Sequence, residues 1–163
     1  PGTGIDMPLS LLERLADIDA VVAIKQSTPD FSRFAETFFA LKDKVRVFGF
    51  PMNELGLTML SVHDGDGTMG AGGVLGRAQT GFYDNLWAGD LEAARACGLK
   101  DRVLMREWYT PDLIGRFGSG PAILKAALNA RGLPGGRVRP PLRDVSDVHR
   151  EQIATTLKEL GMI

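Results

Sequence analysis

Lys25 is the first residue whose type and place could do chemistry. It ends an uninterrupted apolar run, Ala20 to Ile24, in the stretch DAVVAIKQSTPD. An ammonium at the carboxyl end of a buried strand is partly desolvated, and desolvation favours the neutral amine. Neutral amine is the form that attacks a carbonyl carbon to make a Schiff base. In α/β barrels and open parallel sheets the carboxyl ends of the strands carry the chemistry, because the βα loops converge there. From position alone, a lysine that snorkels or pairs with a carboxylate accounts for Lys25 as well as a nucleophile does.

Other reactive residue types carry weaker signals. His63, Asp64 and Asp66 crowd into a few positions of a turn, and no second cluster joins them, so a metal site has little support. Gly65, Gly67 and Gly70 in GDGTMG satisfy the spacing G-x-G-x-x-G. A dinucleotide loop leaves a strand and opens a helix, whereas here a predicted helix precedes the glycines and a strand-like stretch contains them. These glycines read instead as a turn into a strand, approachable by a ligand or by another backbone. The single cysteine, Cys97, reads as a small core residue of a helix. His149 reads as a solvated helix residue, and Arg137, Arg139 and Arg143 as a proline-bordered loop pinned by ion pairs.

The elements that must position Lys25 follow from the hydrophobic pattern. Ser10 and Glu13 have capping-box spacing ahead of a short helix that runs to about Asp17. Ala20 to Lys25 is apolar on both alternating faces, which predicts a strand covered on both sides. Thr28 as N-cap and Pro29 at N1 predict a helix whose buried stripe is Phe31, Phe34, Phe38 and Leu41. VRVFGF, residues 45 to 50, is the next strand, NELGLTMLSVH, 53 to 63, a helix, and GTMGAGGVL, 67 to 75, a glycine-rich strand. The strand ends near Lys25, Gly49 and Gly70 lie some two dozen residues apart, as in successive βα units of one parallel sheet. Beyond residue 76 the pattern turns helical: two helices broken at Gly89 and Asp90, a third over 121 to 132, and a fourth from Ser146 to Leu160.

Composition narrows the function classes. The 163 residues suffice for one core, with 44% hydrophobic and 24% charged residues, as in an ordinary soluble globular protein. A formal net charge of -1 supplies no field for nucleic acid or anionic lipid. No apolar run approaches the roughly 20 residues that span a bilayer, so neither membrane nor nucleic acid is expected as a partner. One cysteine agrees with a reducing, cytoplasmic setting. The chain opens PGTGIDMP, without an initiator methionine, and reads as a piece of something longer. Three parallel strands cannot close a barrel, so further strands are expected from elsewhere.

The ordered segments resemble one family. VVAIKQSTPD is similar to the strand-six segment of the dihydrodipicolinate synthase / N-acetylneuraminate lyase family, PGTGIDMPLSLLERLA to its P-x-x-T-G loop and following helix, and VRVFGF to its seventh strand. GDGTMGAGGVL resembles its G-x-x-G eighth strand, WAGDLEAAR its G-D-x-x-x-A-R helix, and PAILKAALNARGL...VRPPL its K-x-x-L...G...R-x-P-L tail. The resemblance implies an α/β fold: the C-terminal part of a TIM (β/α)8 barrel over residues 1–76, then the last barrel helix and a helical domain over 77–163. It implies a Schiff-base lyase or synthase without a cofactor, in which Lys25 condenses with pyruvate or another 2-keto acid and an aldehyde-type partner is joined or released. Met69 matches the eighth-strand residue whose backbone faces the keto acid, Gly49 the seventh-strand glycine at the rim, and Thr3 with Gly4 the loop after strand five. Homotetramers are implied as well.

Three positions depart from the synthases of that family. Gly2 stands where an arginine usually meets the second substrate's carboxylate, Gly70 where serine stands, and Val74 where asparagine is common. These changes bear on the second substrate and leave the imine chemistry intact. Strands one to five, with the proton-relaying tyrosine and the carboxylate-binding hydroxyl pair, are expected upstream of Pro1. The alternative from another class is a non-catalytic α/β half barrel or assembly domain in which Lys25 is structural.

Overall fold

The computed structural model describes residues 5–68 and 72–163, which fall into two compact units, Pro1–Gly70 and Ala71–Ile163. Thr3, Gly4, Met69 and Gly70 lie outside the described residues.

In the first unit, helices α1 (Leu9–Ala16), α2 (Phe31–Leu41) and α3 (Glu54–Val62) alternate with strands β1 (Ala23–Lys25) and β2 (Arg46–Phe48). The strands are parallel, with Ala23 opposite Arg46, Ile24 opposite Val47 and Lys25 opposite Phe48. Phe48 also forms a parallel bridge to Gly67, and the Gly49 N–H donates to the Gly67 carbonyl at 3.1 Å. Three successive chain segments therefore run side by side in one direction. The predicted stripe of α2 turns inward: Phe34, Phe38 and Leu41 are buried with Val45, Val47 and Phe50. Phe50 meets Phe34 and Phe38 edge to face at centroid distances of 4.8 and 5.2 Å, an arrangement that aligns ring edge with ring face.

Several local expectations are corrected. The capping box of Ser10 and Glu13 does not form, because α1 starts earlier: Pro8 is its N-cap and its carbonyl accepts from the Leu11 and Leu12 N–H groups. Helix α2 is capped by Asp30, whose carboxylate accepts the Arg33 N–H at 3.2 Å. Thr28 instead accepts the Asp30 N–H on its hydroxyl, which holds the turn before the helix. Strand β1 is not covered on both sides, since Ala23 and Lys25 are exposed and only Ile24 is partly buried. Among the described residues β1 pairs with β2 alone, so its apolar run outstrips the cover this unit offers. The glycine-rich strand predicted over 67 to 75 is reduced to the bridge at Gly67, while Gly72–Leu75 forms a helical turn, α4. That turn belongs to the second unit, where Arg131 donates from its guanidinium to the Val74 carbonyl.

The second unit is helical: α4, α5 (Arg77–Trp87), α6 (Leu91–Trp108), α7 (Gly120–Ala130) and α8 (Asp147–Glu159). The break at Gly89 and Asp90 is as predicted. Gly89 takes φ +80°, a conformation open to glycine, and the Asp90 carboxylate accepts the Ala93 N–H at 2.9 Å to start α6. Ser119 and Ser146 cap α7 and α8 in the same way. Phe82, Leu86, Leu104, Trp108, Ile123, Ile153 and Leu157 form the buried core. The loop between α7 and α8 is pinned, as its arginines suggested, by Arg137 on Asp144 at 2.7 Å. Among the described residues no helix is long and apolar enough to cross a membrane.

Candidate active site at the carboxyl end of the parallel strands

The strand pair brings Lys25 and Gly49 to one end of the sheet. Lys25 is the last residue of β1 and lies opposite Phe48, the last residue of β2. The next residue, Gln26, donates its N–H to the Phe48 carbonyl at 2.9 Å, which keeps the two strands in register just past the lysine. Its side-chain amide donates to the hydroxyl of buried Thr37 at 3.1 Å, anchoring the start of the loop to α2. Lys25 itself is exposed and makes no ion pair with a described residue.

Gly49 is held by two constraints that only glycine meets. Its φ is +127°, and a Cβ there would stand 2.1 Å from the Gln26 carbonyl oxygen. The backbone after Lys25 and the backbone after Phe48 thus approach each other with no room for a side chain between them. This close approach lies one residue past the paired strand ends, Lys25 and Phe48.

Asp66 is the positioning residue that sequence reasoning missed. It appeared there only as a weak candidate metal ligand. One carboxylate oxygen accepts the Val47 N–H at 2.8 Å and the other accepts from Arg46 at the same distance. The side chain is only 8% exposed, so these bonds satisfy a nearly buried carboxylate. Asp66 therefore ties the third chain segment to β2 one residue before the Gly67 bridge. Its neighbours do not join it: His63 packs edge to face on Phe39 at 5.1 Å, and Asp64 occupies a turn with φ +56°. Among the described residues no cluster of histidine, cysteine and carboxylates could hold a metal. Cys97 lies in α6, half-buried, with the Asn85 amide 3.7 Å from its sulfur.

Comparison with known proteins agrees with this arrangement of parallel strands and helical tail. The sequence profile of the dihydrodipicolinate synthetase family matches residues 1–160. The chain belongs to that family. A 4-hydroxy-tetrahydrodipicolinate synthase from Methanosarcina barkeri is 27% identical over 162 residues, covering 99% of this chain and 53% of its own length. The dihydrodipicolinate synthase of Thermotoga maritima superposes with a TM-score of 0.73 at 25% identity, over 99% of this chain and 53% of that one. The chloride-inhibited synthase of Acinetobacter baumannii, solved in complex with pyruvate, gives a TM-score of 0.73 at 26% identity, over 98% of this chain and 52% of that one. The chain spans about half the length of the curated relatives it matches.

Proposed function

We propose that Lys25 is the nucleophile of a Schiff-base lyase or synthase acting on pyruvate or a related 2-keto acid. The observation that carries this reading is its place: the terminal residue of a parallel strand, beside a glycine whose side chain is excluded by the neighbouring backbone. Membership in a family of synthases, one of them solved with pyruvate, supports it. The neutral Nζ adds to the keto carbon, and loss of water leaves a protonated imine. That cation takes up the electron pair released when the adjacent carbon gives up a proton, and the resulting enamine forms the new bond to an aldehyde carbon. Cleavage is the same sequence reversed.

In this reading the chain supplies the last three βα units and the helical tail of a TIM barrel, with residues 1–76 in the barrel. Gly49, Met69 and Thr3 line the keto-acid site, and the groups that move protons lie in the rest of the fold. Assembly into tetramers belongs to the same proposal.

The test is reductive trapping. The full-length polypeptide that contains this sequence is incubated with pyruvate, reduced with borohydride and digested. A stable mass adduct is expected on the peptide that contains Lys25. Lys25→Ala and Lys25→Arg should both lose it, because arginine keeps the charge and lacks the nucleophile. An adduct that persists in Lys25→Ala, or that maps to another lysine, overturns the assignment.

A further inference from the structure

The helical unit contains a concave site, remote in sequence from Lys25. A cavity of about 380 Å³ lies between α7, the loop that follows it and the start of α8. That is within the range of small-molecule pockets, which run from roughly 300 to 1,000 Å³. Its charged lining is Lys125, Arg137 and Arg150 against one carboxylate, Asp144, in a chain whose overall charge is -1. Arg150 is itself paired with Asp147 beside the cavity, so the local excess of positive charge rests on Lys125.

Lys125 is held by the backbone, whereas Arg137 and Arg150 each rest on a carboxylate, Asp144 and Asp147. Lys125 donates to the Gly135 carbonyl at 2.7 Å, a neutral acceptor, and makes no ion pair with a described residue. Gly135 has to be glycine for this, since a Cβ would stand 2.3 Å from the Lys125 carbonyl oxygen. Asn129 clamps the same loop twice, donating to the Gly136 carbonyl at 2.9 Å and accepting the Gly136 N–H at 3.0 Å. Asp144 is already engaged, with one oxygen on Arg137 Nε and the other on the Val138 N–H. Arg137 spends only Nε on that bond, which leaves the paired end of its guanidinium fork for a second anion.

We propose that this cavity is a binding site for a small dianion, a dicarboxylate or a phosphate, held by Lys125, Arg137 and Arg150. Because loop and helix are already locked together, the ordering that accompanies binding is confined to the side chains, chiefly the exposed Arg137. The site does not depend on the Schiff-base reading.

Titration calorimetry with succinate and with inorganic phosphate, at ionic strength held constant with sodium chloride, tests it. One saturable site is expected for at least one of the two, and the tighter probe tells carboxylate from phosphate. Lys125→Met should weaken it at least tenfold. Arg150→Gln, whose own partner is the exposed Asp147, gives a similar loss in a chain that keeps its fold. Arg106→Gln, on α6, should bind as the parent does, and so should Lys25→Ala, which separates this site from the keto-acid site. Heats that never saturate, that chloride reproduces, or that survive both Lys125→Met and Arg150→Gln overturn the proposal.

Discussion

At the scale of single residues, the proposed site rests on one amine and one missing side chain. Gly49→Ala combines a left-handed backbone with a Cβ that overlaps a carbonyl oxygen 2.1 Å away. Either term alone costs about 1 to 3 kcal/mol. The variant is expected to lose more than about 3 kcal/mol in urea unfolding, and to lose pyruvate trapping in whatever fraction remains folded. An alanine that unfolds at the parental midpoint would remove the argument for close approach at this rim. The position of Lys25 at the end of β1 was legible from the apolar run before it, since strand ends are marked by a change in residue type. The role of Asp66 was not legible. An aspartate in a turn has several local partners available, and only the arrival of β2 beside it selects the Val47 N–H and Arg46.

At the scale of elements, charge and capping hold the helices and the loop between them. Asp90→Ala removes the acceptor for the Ala93 N–H at the start of α6, an 18-residue helix. About 1 kcal/mol of stability should go with it, read as a lower unfolding midpoint at unchanged denaturant slope. The hydrogen bond from Arg137 to Asp144, helped by the Val138 N–H, holds this carboxyl below the ordinary carboxylate range. Asp6 is lowered in the same way by Arg33. A carboxyl whose pKa is lower in the folded than in the unfolded chain stabilises fully above the unfolded value, about 3.9. That contribution fades as pH falls through the lowered folded value. Thermal unfolding at stepped pH should therefore show a flatter acid limb for Asp144→Asn than for the parent, with little difference in shape near neutrality. An unchanged acid limb would mean that the ion pair contributes nothing in solution. Helix positions were read well because a cap and a 3.6-residue stripe lie within one segment. The missed caps, Pro8 for Ser10 and Asp30 for Thr28, were errors of two residues: Asp30 competes with Thr28 as a side-chain acceptor, while Pro8 starts α1 with no side-chain cap at all.

At the scale of the whole molecule, the chain accounts for about half of a longer family fold. Its parallel strands are short, and Ala23, on the same face of β1 as Lys25, is exposed. Cover on this face would desolvate Lys25, as the proposed nucleophilic role requires. The 163 residues produced alone are thus expected to trap pyruvate at least tenfold more slowly than the full-length polypeptide, measured as adduct formed per minute. Equal rates would show that the nucleophile needs no completion. Sequence by itself determined the order of βα units and helical tail, the stripe of α2, the break at Asp90 and the standing of Lys25 at a strand end. Each depends on contacts within a few residues or on a simple period. Tertiary structure decided that Gly72–Leu75 turns into a helix, that Gly49 must be glycine, and that Asp66 ties the third segment to β2. It also decided that β1 stays exposed. These outcomes depend on which distant segment arrives alongside, and neither residue type nor periodicity encodes that locally.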